Sequence, residues 1–133
     1  MDKIIIIIIG IIILAAIGFW AWQSGFIAKI EPTQLPEEIV LFYGQGCSHC
    51  RDVENFLTQN NIEEKVKFTK LEVWFNKSNA MLLGQVAVKC GKGTSNGVPV
   101  PFLYSPPDSE AGEVKCLVGS EDIINFFKSA VNI

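Results

Sequence analysis

The distribution of apolar and polar positions divides the chain into three parts. Residues 4–22 contain no charged or strongly polar side chain, residues 31–38 are polar and contain two prolines, and the remainder alternates between short apolar runs and helical periodicity. We therefore expect an N-terminal anchor over residues 1–28, a proline-containing linker over residues 29–38, and one folded domain over residues 39–133.

The first part is typical of a membrane span. About 20 apolar residues, rising about 1.5 Å each, cross the roughly 30 Å hydrocarbon core, and residues 4–28 supply that length despite the interruption Gln23-Ser24. A cleaved signal peptide is the alternative, but its apolar core is usually about 7–15 residues long and ends in small residues. The pattern favours a single, uncleaved transmembrane helix, with residues 4–28 contacting the membrane.

The folded domain shows a regular succession of elements. Continuous apolar runs or alternation predict strands, and apolar residues at helical spacing predict helices. The predicted order is a strand at 39–43, a helix at 48–60, a strand at 66–73, a helix at 78–90, strands at 102–104 and 114–118, and a final helix capped by Ser120. This β-α-β-α-β-β-α order predicts an α/β fold with a mixed central sheet flanked by helices, because a βαβ unit is parallel and a hairpin is antiparallel.

Charge and cysteine content narrow the function. The 11 basic residues are scattered among 14 acidic ones, so no basic surface for nucleic acid is expected. The 4 cysteines of this short chain favour an oxidising compartment. With the predicted anchor, this places the folded domain outside the cytoplasm.

The segment YGQGCSHC, residues 43–50, is the main candidate for chemistry. Glycines end the predicted strand and a helix follows directly, so Cys47 lies at a helix amino terminus, where unpaired backbone N–H groups favour a thiolate. Cys50 lies one turn further and is shielded, and the spacing allows the two sulfurs to close a disulfide. His49 can tune the thiolate by charge or a hydrogen bond, although a solvent-facing side chain without a role is the alternative.

The segment YGQGCSHC after an apolar strand, the segment GVPVPFLY and the helical carboxyl terminus together resemble the thioredoxin and glutaredoxin superfamily. The resemblance covers residues 39–133. It implies a thioredoxin-like fold, a Cys47 nucleophile and a resolving Cys50. It also implies a cis-proline beside the dithiol whose preceding residue binds the substrate chain. Pro99, preceded by Val98, fits this position best, and Pro101 is the second candidate.

Two departures from thioredoxins affect the expected activity. Leu41 and Gly46 occupy positions where thioredoxins carry a buried aspartate and a tryptophan. The dithiol is more similar to those of glutaredoxins and of periplasmic oxidases and isomerases, so oxidation or isomerisation is slightly favoured over reduction. Residues 119–122 loosely resemble the turn by which glutaredoxins bind glutathione, but an ordinary helix start explains them as well.

The other two cysteines have no Cys-x-x-Cys partner. Each of Cys90 and Cys116 can be a buried small hydrophobic residue. The sharper hypothesis is a structural disulfide between them, closing a loop of about 25 residues.

The predicted function is a membrane-anchored thiol–disulfide oxidoreductase acting on the thiols and disulfides of exported proteins. No cofactor and no resident metal are predicted, and the redox donor or acceptor stays open. One alternative is a copper-binding or metallochaperone module using Cys47, His49 and Cys50, because soft thiolates suit copper(I). The others are a glutathione-dependent, glutaredoxin-like reductase and a redox-inactive interaction domain.

Overall fold

The computed structural model describes residues 2–23, 34–93, 96–108 and 112–133. Residues 24–33 lie outside this description, and with them the end of the predicted anchor and the first half of the predicted linker. The chain divides into two compact units, residues 1–32 and 33–133. The elements are α1 Asp2–Gln23, β1 Ile39–Tyr43, α2 Ser48–Gln59, α3 Ile62–Lys65, β2 Phe68–Glu72, α4 Lys77–Lys89, β3 Phe102–Ser105, β4 Lys115–Val118 and α5 Ser120–Val131.

The expected transmembrane helix is corrected by the structure. Crossing the hydrocarbon core takes about 20 consecutive apolar residues. Among the helices built from described residues, none combines the length and the apolar character that a membrane crossing requires. The predictions of a transmembrane anchor and of a single-pass membrane location are therefore wrong, and membrane contact through residues 4–28 stays a prediction.

The second unit is built on a four-stranded mixed sheet with the order β2-β1-β3-β4. β1 runs parallel to β2, with Ile39 opposite Phe68, and antiparallel to β3, with Leu41 opposite Leu103. β3 and β4 are antiparallel neighbours, as expected for strands joined by a hairpin. β1 and β3 are thus the central strands, and the chain leaves the sheet at the end of β1 to enter α2.

Side chains alternate between the two faces of the central strands, so each face carries its own core. Val40, Phe42, Phe102 and Tyr104 pack with α4 on one face, while Leu41 and Leu103 pack with α2, α3 and α5 on the other. Burying each such side chain stabilises the fold by about 1.5–3 kcal/mol relative to exposure. The result is three layers that fix the start of α2 against the end of β1.

One additional helix and one capping residue differ from the sequence-based prediction. The short helix α3 was not expected; Asn61, with φ of 49°, turns the chain between α2 and α3. At the start of α5 the capping position is Gly119, with φ of 96°, and Ser120 is already the first helical residue. Neither Asn61 nor Gly119 contributes a side-chain cap.

The end of α4 is closed by a glycine. Gly91 adopts φ of 62°, the left-handed conformation that glycine tolerates without a steric penalty. Its N–H donates to the Val88 carbonyl, and the N–H of Lys92 donates to the Ala87 carbonyl. This paired closure stops α4 at Cys90 and directs the chain back towards β3.

Candidate active site

The loop between β1 and α2 is a tight turn that delivers Cys47 to the start of the helix. The Cys47 N–H donates to the Gly44 carbonyl at 3.1 Å, and Gly46 has φ of 89°. A β-carbon added to Gly44 would collide with the indole ring of Trp74, which lies against this backbone. The turn therefore needs glycine at position 44 because another loop approaches it closely.

Cys47 caps α2 with its own sulfur. The backbone N–H of Cys50 donates to Cys47 Sγ at 3.2 Å, and the Arg51 N–H donates to the Cys47 carbonyl. The sulfur thus occupies the place of the side-chain oxygen that usually caps a helix. Cys47 is partly exposed, whereas Cys50 is only 3% exposed, and neither sulfur is in a disulfide. One sulfur is accessible and the other is held behind it.

The Cys50 thiol is strongly held in its neutral form. Burial raises its pKa to about 12, and the hydrogen bond with the Cys47 side chain acts in the same direction. The sheet beneath offers no acid at the position noted in the sequence, because Leu41 is buried in the apolar core there. In the reduced protein Cys50 therefore stays protonated and is not a second exposed nucleophile.

The cis-proline prediction is corrected. The cis peptide bond joins Val100 to Pro101, the second candidate, not Val98 to Pro99. Pro101 is buried directly before β3 and its carbonyl accepts the Gly119 N–H at 3.0 Å, whereas Pro99 is exposed. Val100 is the residue beside the dithiol, because the Cys47 thiol donates to the Val100 carbonyl at 3.8 Å.

His49 is exposed on the first turn of α2. It lines a cavity of about 310 Å³ together with residues 118–122, which run from the end of β4 into α5. In the part of the chain that the structure describes, no three His, Cys, Asp or Glu side chains are clustered so as to hold a metal ion. Cys47, His49 and Cys50, the residues of the copper-binding alternative, do not form such a cluster.

A second cavity, of about 370 Å³, lies beside the dithiol. Cys47 and Cys50 line it together with the turn before α2 and the charged residues Arg51, Glu54 and Glu72. Sequence reasoning did not select these charged residues. The helical spacing places Arg51 and Glu54 near Cys50, and the parallel pairing of β1 with β2 places Glu72 opposite Tyr43 at the same edge of the sheet. The predicted βαβ unit implied that edge, but not the hydrogen bonds that the Glu72 side chain makes there.

Glu72 ends β2, and its carboxylate is a hydrogen-bond acceptor for two loops. Trp74, Phe75 and Asn76 donate their backbone N–H groups to it, and so does Gln45 from the turn before α2. Although burial raises the pKa of this carboxyl, the four backbone donors outweigh it and hold the pKa below its ordinary value. The acid is therefore ionised at neutral pH.

The remaining two cysteines form a disulfide and not a free dithiol. Cys90, at the end of α4, and Cys116, in β4, are joined by a disulfide with a Cα–Cα distance of 6.0 Å and a sequence separation of 26. That distance is ordinary for protein disulfides. The pairing is the one the sequence analysis weighed as its sharper hypothesis.

Comparison of the chain with protein-family models and with curated protein sequences finds no match. What the site can do must therefore be argued from its own geometry.

Proposed function

We propose that this protein is a thiol–disulfide oxidoreductase whose Cys47–Cys50 dithiol exchanges disulfides with protein substrates. The observation that carries the proposal is the asymmetry of the two sulfurs. Cys47 Sγ is partly exposed and accepts a backbone N–H at the start of α2, while Cys50 is buried and protonated one turn behind it. One sulfur can attack a substrate and the other can complete the exchange.

In the reducing direction, the Cys47 thiolate attacks a substrate disulfide. One new S–S bond joins Cys47 to the substrate, and the other substrate sulfur leaves as a thiolate that takes up a proton. Cys50 then loses its proton and attacks Cys47 Sγ, which releases the second substrate thiol and closes the Cys47–Cys50 disulfide. The substrate gains two electrons and the dithiol loses two. The reverse sequence oxidises a substrate dithiol.

Val100 and His49 contribute to this reaction in different ways. The Val100 carbonyl lies 3.8 Å from Cys47 Sγ, so the backbone of a substrate that brings a sulfur to Cys47 passes beside it. His49, exposed one residue before Cys50, can stabilise the thiolate by charge, and stabilising the reduced form makes a dithiol a stronger oxidant. This favours oxidation or isomerisation of substrates over their reduction.

The test replaces each sulfur in the full chain and follows exchange with a disulfide-containing protein. Cys47→Ser should abolish exchange, because no accessible thiolate remains. Cys50→Ser should accumulate a mixed disulfide at Cys47, because nothing resolves it. Thr58→Ala, an exposed change at the far end of α2, is the control and should behave as the unmodified chain. Undiminished turnover by both cysteine variants would refute the proposal.

A glutathione-dependent reductase is the second candidate, favoured by the cavity that His49 shares with the start of α5. In such a reaction a second glutathione thiolate attacks the mixed disulfide between Cys47 and glutathione, giving glutathione disulfide and free Cys47. Cys50 is not needed for that step. If the variant Cys50→Ser still turns over glutathione mixed disulfides, the glutathione-dependent reaction is favoured. If that turnover is lost, direct exchange with proteins is favoured.

A further inference from the structure

The carboxylate of Glu72 is shared by two loops that meet at the dithiol. Oε1 accepts the Trp74 N–H at 2.8 Å and the Gln45 N–H at 3.3 Å. Oε2 accepts the Phe75 N–H at 2.9 Å and the Asn76 N–H at 3.2 Å. Three of the donors belong to the loop between β2 and α4, and the fourth belongs to the turn that delivers Cys47.

The same two loops also touch through packing. The Trp74 indole lies where a β-carbon of Gly44 would be, directly against the backbone that precedes Cys47. The Cys47 N–H in turn donates to the Gly44 carbonyl. Gln45 is therefore held by a hydrogen bond to Glu72 itself, and Gly44 by an aromatic contact from the loop whose N–H groups Glu72 accepts.

We propose that Glu72 is a positioning residue for the dithiol: its carboxylate holds the turn before α2 against the loop after β2 and so fixes Cys47 at the helix start. This inference rests on the proposed function for its biological meaning. Its structural content does not, because it concerns the reactivity of Cys47 towards any small electrophile.

The role requires two acceptor oxygens. In Glu72→Gln one oxygen becomes an NH₂ group, which cannot accept and would face a backbone N–H. Either the pair Gln45 and Trp74 or the pair Phe75 and Asn76 then loses its acceptor. In the second case the Gln45 N–H keeps only a neutral oxygen, which is a weaker acceptor than a carboxylate, so the Gln45 hydrogen bond is weakened in both cases. Since each loop depends on this carboxylate, the variant should loosen the turn before Cys47 while the sheet, which Glu72 does not join by its side chain, stays formed.

The experiment compares the full chain, Glu72→Gln and the matched control Glu38→Gln. Glu38 accepts the Thr69 hydroxyl at 2.6 Å and lies just before β1, at the opposite end of that strand from the dithiol. In Glu72→Gln, we expect the Gln45 amide to exchange its hydrogen about tenfold faster, as for loss of one structural hydrogen bond. Alkylation of Cys47 by iodoacetamide should also change by about threefold or more, since small displacements of a reacting group are costly.

Three outcomes overturn the inference. If the Gln45 exchange rate and the Cys47 alkylation rate are both unchanged in Glu72→Gln, the inference is wrong. A variant that loses stability at an unchanged Cys47 rate shows only a structural role. Equal changes in Glu38→Gln show a general effect of lost charge. A faster Gln45 exchange together with an altered Cys47 rate, confined to Glu72→Gln, supports it.

A titration of the unmodified chain tests the same contact if Glu72→Gln fails to fold. The amide ¹H and ¹⁵N shifts of Gln45, Trp74, Phe75 and Asn76 should move together, with one midpoint below 4.5, because protonation of Glu72 weakens all four hydrogen bonds at once. Glu54 lines the same cavity, so its titration must be distinguished from that of Glu72. The other titratable groups that line the cavity are Tyr43, Arg51 and the two cysteines. A Gln45 shift that does not follow the other three overturns the inference.

These readouts separate the inference from the proposed function. If the dithiol shows no reversible oxidation in glutathione buffers, the oxidoreductase proposal fails. The hydrogen exchange and alkylation results still decide whether Glu72 positions Cys47.

Discussion

The two cysteine pairs of this protein place the same chemical group in opposite settings. Cys47 and Cys50 are three positions apart, at the cap and on the first turn of α2, and both sulfurs are free. Cys90 and Cys116 lie 26 positions apart, on a helix end and an edge strand, and their sulfurs are bonded. A disulfide between Cys47 and Cys50 can form or break with little change in the fold, whereas the Cys90–Cys116 disulfide joins distant parts of the chain.

The difference shows how spacing decides what a disulfide contributes. A bond across three positions restricts the unfolded chain very little, so it can break and form without a large effect on folding. A bond that closes about 25 residues removes much more freedom from the unfolded chain and so stabilises the fold. A disulfide between cysteines close in sequence is therefore suited to reversible exchange, and one between distant cysteines is suited to stabilising the fold.

The largest expected effect concerns reactivity within the open pair. In Cys47→Ser, Cys50 should be alkylated at pH 7 at least about tenfold more slowly than an ordinary exposed thiol, because burial, the largest cause of its raised pKa, remains after the Cys47 sulfur is removed. Its rate should rise about tenfold for each unit of pH as long as the pH stays below the pKa of Cys50. Alkylation of Cys50→Ser, which leaves Cys47, is the matched comparison. Equal rates in the two variants at pH 7 would contradict the asymmetry on which the proposed function rests.

The next effect concerns the closed pair. The double variant Cys90→Ala/Cys116→Ala should lose about 3 kcal/mol of unfolding free energy, as expected for opening a loop of this length. Urea denaturation measures the loss, and the alkylation rate of Cys47 should stay the same because the pair does not line the dithiol cavity. A double variant as stable as the unmodified chain would show that the disulfide is not structural.

The smallest effect tests the support of the open pair. Gly44→Ala should destabilise the fold by about 1–3 kcal/mol, because the new methyl group must displace the Trp74 indole. Gly84→Ala, in α4 with nothing near the added methyl group, should stabilise it by about 0.5–1 kcal/mol. Thermal unfolding of both variants compares them directly. If Gly44→Ala matched Gly84→Ala, Trp74 would not be packed against the turn.

Much of the folded unit could be predicted because its patterns are local. The apolar run of β1 gave bounds that the structure reproduces, Ile39–Tyr43. The helix α3 could not be predicted, since four residues, Ile62–Lys65, are too few to show a period. A sequence of Gly, Ser and two acids predicted a capping serine, but a glycine with positive φ also begins a helix, and only the backbone geometry decides between them.

The site was predicted as far as its residues are neighbours in sequence. Cys47 and Cys50 are brought to one cavity by one helical turn, which their spacing already implies, whereas His49 lines the other cavity. The choice between Pro99 and Pro101 failed because both follow a valine in VPVP, and what separates them is burial at the start of β3. Glu72 could not be found, because its contact with Gln45 joins residues 27 positions apart.

The Cys90–Cys116 bond has a consequence for how the sheet opens. β4 is an edge strand of four residues whose one neighbour in the described sheet is β3, so by itself it would be an early segment to fray. The disulfide joins its second residue to the end of α4, on the face packed against β1 and β3. Separating this edge from the sheet must therefore pull on a helix whose inner face is buried, and hydrogen exchange of β4 becomes coupled to that of α4. The rim of the sheet thus shares the slow opening of its interior.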